Sequence, residues 1–209
     1  SRDAVRRERD GAGVISEQGI YRTYQHGNRL IMLARPNMGF LGQKKDIQSV
    51  QCTAALFSFE SPAPTWEVFI DDTKVAALPA TAKAGQVIAV HDGVSYLAIR
   101  PLPTDDLGRD AEITLEPGVP QEPAYHGGVR IQPALLVNAY LYKKDAVIGA
   151  DTVKQLEGAR TGFVVEMGDE KDSGSFEKFQ ARVRKAKLSG DKGDVTYQAG
   201  DDTLVATWD

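Results

Sequence analysis

Gln86-Val87-Ile88-Ala89-Val90-His91-Asp92-Gly93-Val94-Ser95-Tyr96-Leu97-Ala98-Ile99-Arg100 (86–100) decides the fold class. Two apolar runs, Gln86 to His91 and Val94 to Arg100, flank Asp92-Gly93. That dipeptide is among the strongest short-range signals for a β-hairpin, because its glycine takes positive φ without steric penalty. The same pattern recurs upstream, where Ile20 to Gln25 and Arg29 to Arg35 flank His26-Gly27-Asn28. Pro36 then ends the ladder, since proline has no N–H to donate. Twenty glycines and ten prolines punctuate the chain. Most of the short apolar runs between them alternate with period 2, which points to half-buried strands.

Working outward, Gln48 to Glu60 reads as a long strand ended by the corner Ser61-Pro62-Ala63-Pro64. In Thr65 to Ile70, Trp66, Val68 and Ile70 share one face and Thr65, Glu67 and Phe69 the other, so the Trp66 face is the better core candidate. Asp71-Asp72 turns the chain into Lys74 to Leu78. Ala111 to Glu116 is a short strand, and the connection Pro117 to Pro123 is the best boundary between two halves, about 14–116 and 124–209. Gly128 to Tyr142 reads as a strand bulged or placed at an edge by Pro133, and Gly162 to Met167 as another. One segment has helical spacing: Phe176, Phe179, Val183 and Ala186 recur across Phe176 to Leu188, with Ser175 as N-cap and Lys185 and Lys187 in the last turn, where the helix dipole favours cations. A final hairpin joins Asp194 to Gln198 with Thr203 to Trp208 and places Val195 and Tyr197 opposite Leu204, Ala206 and Trp208.

About a dozen short strands, one helix and no βαβ alternation predict a mostly β fold: a large antiparallel sandwich of two stacked sheets with one C-terminal amphipathic helix. The helix is expected across one end of the sandwich or against the last hairpin. The 209 residues suffice for a single domain, 1–209, held by burial alone. The single cysteine, Cys52, forms no internal disulfide and reads as a small buried hydrophobe.

Composition narrows the partners. Lys plus Arg number 25 against 29 Asp plus Glu, a net charge of -4, so there is no broad basic field for nucleic acid or an anionic bilayer. No stretch approaches the roughly 20 apolar residues of a membrane-spanning helix. The start, without methionine and rich in charge, reads as that of a trimmed chain or a piece of a longer protein, which leaves the compartment open.

Specific catalytic signatures are missing from the sequence. No Gly-x-Ser-x-Gly elbow occurs, and Gly39 to Lys44 lacks the spacing and terminal Ser or Thr of a phosphate loop. The acidic turns Asp169 to Asp172, Asp191 to Asp194 and Asp201-Asp202 do not match a calcium loop, and no His-x-x-x-His pair suggests zinc. No metal or cofactor is expected. The three histidines do share a feature: His26, His91 and His126 each stand immediately before a turn. His26 and His91 are also followed nine and ten residues later by Arg35-Pro36 and Arg100-Pro101, which suggests two equivalent hairpins. One reading collects these histidines at a rim with Tyr24, Tyr96 and Tyr125 to bind or deprotonate a sugar-like ligand. The other is turn chemistry alone. Tyr140 and Tyr142, on one face of a strand, form the best paired platform for a sugar ring if that face is exposed.

Gly162 to Asp169, followed by Ser173 to Ala181, and the hairpin Tyr24 to Pro36 resemble the C-terminal β-sandwich regions of heparinase-II/III-like and related polysaccharide lyases. The resemblance covers about half the chain and has no diagnostic motif. In that family the catalytic tyrosine and histidine lie mostly in or beside a helical toroid, which has no counterpart here. It therefore implies a noncatalytic sandwich domain of a polysaccharide-degrading protein, packed on an adjacent catalytic domain or contributing to a glycan groove, and a periplasmic or extracellular location. Two alternatives stay open: a small polysaccharide lyase with Tyr and His as proton-transfer groups, and a structural or assembly module.

Overall fold

The computed structural model describes residues 13–18, 21–34, 46–47, 51–58, 66–102, 112–117, 134–140, 148–149, 161–191 and 194–207. In chain order the strands begin with β1 (Gly13–Gln18), β2 (Tyr21–His26), β3 (Arg29–Ala34), β4 (Asp46–Ile47) and β5 (Gln51–Ser58). Then come β6 (Glu67–Ile70), β7 (Thr73–Lys74), β8 (Ala80–Lys83), β9 (Ile88–His91), β10 (Ser95–Pro101) and β11 (Glu112–Pro117). The last third holds β12 (Ala134–Tyr140), β13 (Ile148–Gly149), β14 (Thr161–Asp169), the short helix α1 (Glu170–Ser173), helix α2 (Phe176–Lys185), β15 (Lys187–Asp191), β16 (Asp194–Ala199) and β17 (Asp202–Thr207).

The fold is mostly β and antiparallel. A central eight-stranded sheet runs β1-β2-β3-β14-β10-β9-β6-β7, and a four-stranded sheet runs β5-β12-β11-β8. β14 lies between β3 and β10, and β12 between β5 and β11, so both sheets mix strands from the two halves of the chain. The first two hairpins legible in sequence are present, with Gly27 at φ +56° and Gly93 at φ +96° in their turns. They flank β14 symmetrically, since the second strand of each, β3 or β10, pairs with it.

The two sheets stack face to face. Val68, Ile88, Val90, Leu97, Ile99, Phe163 and Val165 of the central sheet meet Ala82, Ile113, Leu115, Val137 and Ala139 of the other. Trp66 and Ile70 pack against the same core, as the alternation in that strand predicts. Apolar area removed from water here contributes about 25 cal/mol per Å² and is the main stabilising term.

A third layer covers the other face of the central sheet. Helix α2 lays Phe176, Phe179 and Val183 on Val87, Ala89, Tyr96 and Ala98. Beside it a three-stranded sheet, β15-β16-β17, places Val195, Tyr197, Leu204 and Ala206 on Tyr24, Ile31, Leu33 and Val164. The helix thus lies flat over β9 and β10 and not across an end of the sandwich. It also stops earlier than its apolar period suggests: Ala186 is extended (φ -63°, ψ 137°), and Lys187 and Leu188 pair with Gln198 and Tyr197 in β15. Arg100 favours that stop, because its guanidinium donates to the Ala186 carbonyl at 2.7 Å and to that of Val183 at 3.3 Å. The cation therefore meets the negative end of the helix dipole.

Candidate functional site

The site grows from one charge in an apolar strand. Glu166 points to the outer face of β14, level with Arg29 on β3 and Ala98 on β10. Its side chain is only 1% exposed. A carboxylate so deep is tolerated only when its oxygens are hydrogen-bonded and its charge is matched. Here the Tyr197 hydroxyl donates to Oε2 at 2.6 Å, Arg182 donates to Oε1 at 3.2 Å, and Arg29 Nη2 stands 3.6 Å from Oε1. Arg29 also donates to Asp202 at 3.0 Å. One carboxylate thereby ties the central sheet to α2 and to the small sheet.

These neighbours shape each other's titration. Burial works against the charged guanidinium of Arg29, but the hydrogen bond to Asp202 and the Glu166 charge outweigh it and raise the pKa. Burial, and after it the charge of Glu166, pushes the Tyr197 phenol well above the ordinary tyrosine range. Tyr197 therefore acts as a hydrogen-bond donor and not as a base. Arg100 lies over its ring, 5.9 Å from the centroid, within the usual reach of a cation–π contact.

Beside this network a cleft of about 490 Å³ opens at the hairpin end of β14. Asn28 and Arg29 form one wall, Met167, Gly168 and Asp169 the floor, and Asp172 and Ser173 of α1 with Arg182 of α2 the opposite wall. The walls are held in place. Asn28 donates its amide to the Met167 carbonyl, and the Met167 N–H returns a bond to the Asn28 carbonyl at 2.9 Å. Asp169 caps α1 by accepting the Asp172 N–H at 2.7 Å, and Arg182 donates to the Ser173 hydroxyl at 3.3 Å. A Cβ at Gly168 would sit 2.5 Å from the Ser173 hydroxyl and 3.0 Å from the Phe179 ring, so only glycine lets α1 and α2 close over the strand. The Nε atoms of Arg29 and Arg182 are both buried without a hydrogen-bond partner.

The residues singled out from sequence fall elsewhere. His26 and His91 lie on the same face and at the same end of the central sheet, but on β2 and β9, four strands apart. At about 4.8 Å per strand that is roughly 19 Å, so the two imidazoles form no common site. His91 accepts the Gly93 N–H on Nδ1 at 3.2 Å and meets Glu67 through Nε2 at 3.1 Å, which puts its proton on Nε2. Its ring packs on Phe176 with centroids 4.2 Å apart. Lys74, hydrogen-bonded to Glu67, holds that carboxyl below the usual range, and His91 adds to the effect.

Of the tyrosines singled out from sequence, Tyr24 and Tyr96 give their hydroxyls to backbone carbonyls. Tyr24 donates to Thr207 at 2.5 Å and Tyr96 to Gly174 at 3.0 Å, each fastening the third layer to the central sheet. Tyr140 ends β12 opposite Glu112. Tyr125, His126 and Tyr142 lie outside the described residues. Sequence reasoning missed Arg29, Glu166 and Arg182. The available signal was Glu166 itself, a lone acid inside the apolar run Gly162 to Met167.

Among the described residues no group of three or more His, Cys, Asp and Glu converges to hold a metal ion, and no helix is long and apolar enough to cross a membrane. Comparison with protein-family models, curated proteins and solved structures finds no match to this chain.

Proposed function

We propose that this chain is a noncatalytic β-sandwich module of a carbohydrate-active protein, and that it holds a glycan end in the cleft between Arg29, Arg182 and Asp172. The observation that carries this reading is the lining of that cleft. Guanidinium donors from β3 and α2 share it with carboxylate acceptors from the end of β14 and from α1. Neighbouring sugar hydroxyls each donate one proton and accept others, so they pair with such mixed sets of groups. Anchoring by Glu166 and by the α1 cap keeps these side chains ordered before binding, which lowers the entropy lost on association. An adjacent catalytic domain is the natural partner for such a module.

The lyase alternative needs a free tyrosine hydroxyl beside an imidazole. The hydroxyls of Tyr24 and Tyr96 are bonded to carbonyls, and His26 and His91 are four strands apart, which favours the binding module. The test is a glycan array followed by calorimetric titration of the parent and of Asp172→Ala. Binding that weakens about tenfold in the variant supports the reading. Equal binding by both proteins, or ultraviolet-absorbing unsaturated product from uronic-acid polysaccharides, refutes it.

A further inference from the structure

We infer that a second copy of this chain docks edge to edge on β17, joining the two small sheets into one continuous antiparallel sheet. β17 (Asp202–Thr207) ends the sheet β15-β16-β17, and among the described residues no strand pairs with its outer side. Which backbone groups face outward follows from the register. The hairpin closes on Ala199 opposite Asp202, and from there pairs that exchange ladder bonds alternate with pairs that do not. Leu204 and Ala206 therefore bond to β16, while Thr203, Val205 and Thr207 turn their N–H and C=O groups away from it. The Thr207 carbonyl shows this directly: it accepts from the Tyr24 hydroxyl at 2.5 Å and from Arg22 Nη1 at 3.3 Å, which occupies both lone pairs outside the ladder. Val205, in the middle of this row, is 46% exposed.

Such an edge is a template for another strand, and other edges of this fold are blunted against that use. β1 has a register shift between Val14 and Ser16, β7 is two residues long and ends in Lys74, β8 ends in Lys83, and β15 begins with Lys187. From Thr203 to Thr207, β17 has no charge, proline or bulge.

Self-complementarity identifies the occupant. Turned about a two-fold axis through Val205, β17 lies antiparallel to its copy, with Val205 beside the partner's Val205, Thr203 beside the partner's Thr207, and Leu204 beside the partner's Ala206. The outward N–H and C=O groups of Val205 then pair with their own equivalents, and the Thr207 N–H meets the carbonyl of the partner's Thr203. Threonine and β-branched pairs are favourable across strands, and no like charges are opposed within this stretch. Main-chain bonds of this kind supply the affinity in strand addition, and an isologous contact closes on itself at two copies.

The test is sedimentation velocity of the full chain from about 5 to about 500 μM, with amide hydrogen exchange followed over the same range. One short strand makes a contact at the weak end of protein interfaces, so the expected result is a monomer–dimer equilibrium with a dissociation constant on the order of 100 μM. The Val205 and Thr207 amides should gain protection as the dimer fills, whereas those of Leu204 and Ala206 are protected already. Val205→Lys is expected to weaken association about tenfold or more, and Ser189→Lys, on β15 at the far side of the small sheet, less than about twofold. Both positions are exposed, so each variant keeps the fold, which unchanged exchange at Leu204 and Ala206 verifies. A chain that stays monomeric at about 500 μM overturns the inference. So does a dimer that survives Val205→Lys, one that Ser189→Lys breaks equally, or one that leaves the Val205 amide unprotected.

Discussion

Glu166 is the residue on which the outer layer turns. Removing its carboxylate leaves the Arg29 guanidinium and the Tyr197 hydroxyl buried with lost partners. Breaking a buried pair from one side ordinarily costs about 3–5 kcal/mol. Arg182, 37% exposed, recovers part of its hydration, so Glu166→Ala is expected to lower stability by about 2–4 kcal/mol in urea denaturation. Tyr197 sets an alkaline limit. Its folded pKa lies above the unfolded value of about 10, so its contribution is complete below that pH and declines as the pH climbs further. Denaturation curves between pH 8 and pH 12 should therefore show the parent losing stability above about pH 10 more steeply than Tyr197→Phe. Equal slopes would contradict this. Glu166 was visible in the sequence as an acid among apolar neighbours, but its partners were not, because Arg29 and Tyr197 reach it only through strand order and layer stacking.

Helix α2 and the two glycine-turn hairpins were the most legible elements, because each rests on local chemistry. Ser175 caps the helix as expected, accepting the Lys178 N–H at 3.4 Å, and Ser175→Ala should lower the melting free energy by about 1 kcal/mol. A loss below a few tenths would mean that tertiary packing alone holds the first turn. Where the sequence reading failed, a distant partner overrode the local pattern. The apolar period continues through Ala186 and Leu188, but Arg100 takes the last helical carbonyls and β16 captures Lys187 and Leu188 into β15. Ala80 to Lys83 went unread as β8 because the segment is short and small; its role is set by pairing with β11. Gly162, at φ +152°, shows the same dependence on neighbours: a Cβ there would lie 1.8 Å from the Met32 carbonyl oxygen.

For the whole molecule, period-2 alternation predicted two stacked antiparallel sheets, and these form the core. The third layer escaped the sequence because a strand buried on both faces loses its alternation. In β14, Thr161 to Glu166 are all buried, one face against the second sheet and the other beneath α2 and the small sheet. That same layering engages Tyr24 and Tyr96, two of the residues offered as ligand groups from sequence, and creates the cleft at its seam. The most direct test is a crystal structure of the chain bound to the tightest oligosaccharide from the glycan array and titration. Sugar density contacting Arg29, Arg182 and Asp172 is the predicted result. Density seated elsewhere on the molecule, with that cleft holding only solvent, would contradict the account.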